Sequence, residues 1–188
     1  MLHSELWFPM RNVTTIVTLA LISGSFAQSG PDTLHWSSVQ PLRGSDFKME
    51  PQTYSGLGGE SLCMLSTNFT KAGAFTRTKF EVAAYFDRAK SWIDLNGDRA
   101  AMVAYFQVLF DIYELHARQL KQELEQQAPR GNPTEFMHAR YDAAMAAITE
   151  QSNQFRKESR MGMNHDVVKQ WQNRIEVDIA SLPSTQGP

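Results

Sequence analysis

Several things are scarce in this chain. It has one cysteine, Cys63, so no internal disulfide can form and the fold must rest on packing. It has no basic run: Lys and Arg number 18 against 20 Asp and Glu, interspersed, for a formal charge of −2. A phosphate backbone attracts clustered cations, so nucleic-acid binding is disfavoured. Past residue 27 no apolar stretch is long enough to span a bilayer. There is no GxSxG elbow, no phosphate-cradling glycine loop and no pair of His at i,i+4. What is present is ordinary globular composition, 42% hydrophobic and 20% charged, over 188 residues, which suggests one domain.

The N-terminus carries an export signal. From Met10 the chain reads MRNVTTIVTLALISGSFAQ. Arg11 supplies the positive flank, Val13 to Ile22 a short apolar stretch, and Ser25 and Ala27 the small residues before a cut at Gln28. We expect residues 1–27 to be a signal peptide with Met10 as the true start, 28–182 to be the domain, and 183–188 a flexible tail. A periplasmic or secreted location follows from that reading.

Leu34 to Trp36 is expected as a first strand. Tyr54 to Leu65 reads as two strand-like pieces kinked at Gly56, Gly58 and Gly59. Phe75 to Phe86 is the clearest strand, with Phe80, Val82, Ala84 and Phe86 alternating on one face. Asn96 or Asp98 can cap a helix over Arg99 to Gln126. Its first half is almost wholly apolar, and its second half, from Arg118, reads as emerging into solvent. Gln107, Asp111, Glu114 and Arg118 recur at helical spacing, so they form one polar stripe, and Glu114 precedes Arg118 in the favourable i,i+4 order.

Pro133 opens a second helix to about Arg160, buried along Met137, Tyr141, Ala144, Met145, Ile148 and Phe155 and ended by Gly162. Asn164 caps a third, with Val168, Trp171, Ile175 and Ile179 inward. Strands first and helices afterwards imply an α+β fold, a small and mostly antiparallel sheet packed against three helices.

Two stretches resemble a family of bacterial secreted, predicted zinc-dependent peptidases. Its helix pattern, HEQxHFDIxELYARxLR, meets YFQVLFDIYELHARQLK at Tyr105 to Lys121; Gln107, Phe110, Asp111, Ile112, Glu114, Leu115, Ala117, Arg118 and Leu120 agree. A second pattern, YDxETxHGxNxxxQxxWxxxI, meets FRKESRMGMNHDVVKQWQNRI at Phe155 to Ile175. Glu158, Gly162, Asn164, Trp171 and Ile175 agree, with Gln170 offset by one or two places. Weaker echoes are Trp36, the TYSG from Thr53 and the AYFDRAKSW from Ala84.

The resemblance implies a zincin-like fold, with the first zinc-binding His at Tyr105, the general-base Glu at Phe106, and the second and third His at Leu109 and Met161. All four positions differ here. Leucine has no lone pair, Met is too soft for zinc, Tyr would have to lose its proton, and Phe106 cannot accept one. The zinc site is therefore expected to be lost, leaving no cofactor, and Tyr105, Leu109 and Met161 are expected to converge as its remnant. Gln107, Asp111, Glu114, Arg118 and Trp171 stay as structural motif residues.

Three functional readings follow. One is a non-catalytic binding or envelope-interaction protein, with the strand at Phe75 to Phe86 offering an edge to a peptide. A second is a secreted metallopeptidase with a non-standard site, for which His165 with Asp111 or Glu114 are the candidates. A third is an assembly subunit using Tyr105, Phe106 and Phe110 as an interface patch.

Overall fold

A computed structural model describes residues 32–52, 58–71, 77–94, 96–129 and 131–185. The expected signal peptide and cleavage point, the TYSG echo and Phe75 lie outside these residues. The strands are β1 (Thr33–His35), β2 (Gly59–Thr70) and β3 (Lys79–Ile93), followed by helices α1 (Arg99–Gln127), α2 (Thr134–Glu158) and α3 (His165–Ala180). The fold is α+β, as expected: a three-stranded antiparallel sheet in the order β1-β3-β2, with three helices after it.

Phe80, Val82, Ala84 and Phe86 on β3 and Cys63 and Leu65 on β2 turn one face of the sheet inward. α1 lies across that face, with Phe86 against Phe110 at a ring distance of 5.8 Å. β3 runs further than its alternating pattern suggests. The polar residues from Asp87 to Ser91 stay in the strand because they serve the ladder. Leu62 donates its N–H to Ser91 Oγ (3.0 Å), which itself donates to the Asp87 carbonyl (2.6 Å). That hydroxyl bridges a register shift between Glu60 and Leu62, where β3 advances five residues (Trp92 to Asp87) against two on β2. The extra residues lie on β3, opposite the segment just past Gly59, rather than on the glycine-bearing strand.

β3 is the central strand, paired with β2 along its length and with β1 at Tyr85–Asp87. The expected edge at Phe75 to Phe86 is narrowed rather than lost: β1 covers only Tyr85–Asp87, so Lys79–Ala83 have no strand partner on that side among the described residues, and β2 forms the opposite edge of the sheet. Part of that edge is covered, since Tyr141 on α2 donates to the Leu65 carbonyl at 3.2 Å.

Capping sets the helix starts. Asp98 accepts from Ala101 N–H (3.0 Å) and Asn164 from Val167 N–H (3.3 Å). α1 stays packed beyond Arg118, with Leu120 and Leu124 buried, so its second half does not simply emerge into solvent. α3 buries the expected Val168, Trp171, Ile175 and Ile179. On α2, Met137, Ile148 and Phe155 are buried, whereas Tyr141, Ala144 and Met145 are only half-buried and Ser152 joins the buried face. Among the described residues no helix is long and apolar enough to cross a membrane.

Candidate functional site

The positions singled out by the zinc-peptidase pattern sit where α1 meets the α2–α3 turn. Tyr105 is buried on α1, stacked on Phe155 of α2 with ring centroids 5.2 Å apart. Its hydroxyl points at Met161 Sδ, 3.8 Å away across 56 residues of sequence. Tyr105 and Met161 thus meet in space. Leu109 lies one helical turn further along the same face of α1 and forms part of a cavity wall there.

The turn bearing Met161 is unusual. Arg160, Met161 and Gly162 all have positive φ, at 51°, 57° and 89°. Glycine is required at 162, because a Cβ there would also come within 3.0 Å of the Tyr105 ring. Met161 has no such freedom and is 49% exposed, so burial of its side chain does not compensate the strained backbone.

Phe106, at the general-base position, fills interior space. It is buried, 5.5 Å from the Phe47 ring, and it abuts Gly59 so closely that a Cβ on that glycine would lie 2.8 Å from its ring. Tyr105, Phe106 and Phe110 are all core residues, so they form no exposed interface patch. The donor chemistry does not fit zinc. Burial raises the Tyr105 hydroxyl pKa above its ordinary value and opposes the deprotonation that metal binding needs. Leu109 and Phe106 offer no lone pair, and Met161 offers only a thioether.

Behind these positions runs the polar stripe of α1, and it is buried. Leu42 donates its N–H to Gln107 Oε1 (2.7 Å), and Gln107 Nε2 and Trp36 Nε1 both donate to Asp111 Oδ1 (2.7 Å each). Burial pushes the Asp111 carboxyl up to about 6, with these two donors holding it back only in part. Arg118 Nε donates to Glu114 Oε1 (2.8 Å), and its terminal nitrogen donates to the carbonyls of Ile179 (3.1 Å) and Leu182 (3.2 Å). The guanidinium also lies 5.3 Å from the centroid of the Trp36 ring. Glu114 is raised too, chiefly by burial, with Arg118 opposing.

Trp171, the other motif residue, donates to Glu158 Oε2 (2.7 Å), which pins α3 to the end of α2, and it carries Arg174 of its own helix over its ring at 3.8 Å. No family model, curated protein or solved structure matches the chain.

The histidines do not add a ligand set to this cluster among the described residues. His116 shares a 2.7 Å hydrogen bond with Gln151, and burial lowers its pKa. His165 is exposed at the start of α3, while Asp111 and Glu114 are enclosed and already bonded. Among the described residues no three His, Cys, Asp or Glu gather as a ligand set.

Sequence reasoning missed Trp36 as the partner of Asp111, and it missed the Leu42 amide. The Trp36 echo was the available signal, but nothing local links it to a helix 75 residues away.

Proposed function

We propose that this chain is an exported, zincin-like peptidase domain whose metal site has been replaced by packing, and that it acts as a non-catalytic binding or envelope-interaction protein. One observation carries the reading. The positions matched to the first and third zinc ligands touch, Tyr105 Oη against Met161 Sδ at 3.8 Å, although one lies in mid-helix and the other in a distant turn. The positive φ at Met161 supports it, because strained backbone of this kind clusters at functional sites. The buried stripe from Gln107 to Arg118 then serves as the girder that fixes α1. Without a metal-activated water or the general base, hydrolysis has no means at that place.

The test rebuilds the ligands. The triple variant Tyr105→His, Leu109→His, Met161→His leaves the Phe106 packing in place and is loaded with Co²⁺ as a spectroscopic stand-in for zinc. We expect one ion per chain, with the intense visible bands of a tetrahedral site, and no such binding by the parent protein. A folded triple variant that binds no metal overturns the reading. So does parent protein that holds one zinc per chain and cleaves peptides in a chelator-sensitive way.

A further inference from the structure

A cavity of about 250 Å³ opens between β2, α1 and α2. Leu62, Leu109 and Ile148 give it an apolar floor, and Ser61, Cys63, Tyr113, Ser152 and Arg156 bring polar atoms to its wall. Two of these stand out. Ser152 is 5% exposed, and its hydroxyl is fully buried with no hydrogen-bond partner, a costly arrangement unless something fills the space in front of it. Arg156 lines the cavity from its solvent-exposed side, sits close enough to act on Cys63, Tyr105 and Tyr113, and among the described residues forms no ion pair with a carboxylate, so its charge is free to meet a ligand.

We propose that this cavity binds a small aliphatic carboxylate, with Arg156 pairing its charge, Ser152 donating to an oxygen, and the leucine and isoleucine floor taking its hydrocarbon part. A single cation suits a monoanion, and a guanidinium matches the planar carboxylate. An apolar floor is hostile to a phosphate dianion. The wall adds no competing charge, since burial pushes the Cys63 thiol up to about 12 and keeps it neutral. Asp111 also acts on Cys63, but it is held by Trp36 and Gln107 and does not line the cavity. The volume leaves room for a short-chain acid rather than for a lone water. The carboxylate can belong to a free acid or to a peptide C-terminus. The inference stands on the cavity itself and does not depend on the zinc-peptidase reading.

The test is calorimetric titration of the full chain with butyrate, with butyramide as the uncharged isostere, and with inorganic phosphate. Butyrate should bind saturably, with the other two weaker by about tenfold or more, the loss of one charge-assisted contact. Arg156→Gln should lower butyrate affinity by a similar factor. Ser152→Ala should lower it severalfold while leaving the melting temperature unchanged or higher, which separates loss of binding from loss of fold. Acetyl-trialanine and its C-terminal amide identify the source. An acid that outbinds both its amide and butyrate points to a chain terminus, and butyrate outbinding the peptide acid points to a free acid; each supports a carboxylate site. Equal binding of butyrate and butyramide overturns the proposal, as does no saturable butyrate binding or full affinity in Arg156→Gln.

Discussion

Asp111 shows how far one residue's environment can depart from its position on a helical wheel. It is 3% exposed, and its Oδ1 accepts from both an indole and an amide. Burial still wins and lifts its pKa from 3.8 to about 6. The folded chain therefore holds this proton more tightly than the unfolded one. The resulting stabilisation is full below about pH 4 and is lost as pH rises through about 6. At neutral pH the buried charge costs on the order of 3 kcal/mol. Asparagine keeps the Oδ1 acceptor for Trp36 and Gln107 and carries no charge. Asp111→Asn should accordingly be the more stable protein at neutral pH, by up to about 3 kcal/mol, with the gap closing towards pH 4. Urea unfolding of both proteins across that range checks this. A gap that is absent at neutral pH, or that widens on acidification, would sink the assignment. Glu114 shifts in the same direction, so the difference between the two curves is the informative quantity rather than either curve alone.

At the scale of elements, α1 is the member that the sheet and the other helices meet, and Arg118 is its link to α3. The side chain bonds Glu114 on its own helix, the Ile179 carbonyl in the last turn of α3 and the Leu182 carbonyl just beyond it. Replacing it with methionine preserves much of the stem packing but leaves the Glu114 carboxylate, which is 2% exposed, without its counter-charge and with the Thr185 hydroxyl as its remaining donor. Arg118→Met should cost about 3–5 kcal/mol, the usual penalty for an orphaned buried charge. Adding Glu114→Gln should recover part of the loss. Hydrogen exchange should speed up first at the last turn of α3, and a double variant no better than Arg118→Met would argue against a buried-charge origin. Elements were legible where signals are local. Asp98 and Asn164 announced their helices by capping, and Val168, Trp171, Ile175 and Ile179 announced a buried face by spacing. The polar stripe was visible as a stripe, but its depth was not, because its partners Trp36 and Leu42 come from the far end of the chain. β3 was cut short for a related reason. Asp87 and Ser91 look like the end of a strand until the Leu62 amide and the register shift give them partners.

At the scale of the molecule, both ends of the described chain close onto α1. Trp36 reaches it from the side of β1, and the segment after α3 returns to it. The cavity behind Leu109 belongs to this scale too. Cys63, Leu109 and Arg156 come from three elements, and no spacing rule brings them together in advance. The tail expected over 183–188 begins as a bound segment. Lys121 Nζ donates to the carbonyls of Ser184 (3.3 Å) and Thr185 (3.1 Å), and Thr185 Oγ1 donates to Glu114 Oε1 (3.1 Å). Composition alone read this stretch as polar and terminal, whereas its acceptors are main-chain carbonyls, which every sequence supplies. Removing residues 183–188 leaves Arg118 with its Ile179 and Leu182 acceptors, so α3 should stay docked. The truncated chain loses three hydrogen bonds, two of them partly buried and one exposed, and gives Glu114 more access to water. Together these should lower stability by about 1–2 kcal/mol, since net hydrogen-bond contributions are small and renewed hydration of the carboxylate offsets part of the loss. The urea midpoint should fall while the slope of the transition stays as it was, because the surface exposed on unfolding hardly changes. An unchanged midpoint would mean that the segment rests on α1 without bracing it, and that Arg118 alone ties the C-terminal end to the spine of the fold.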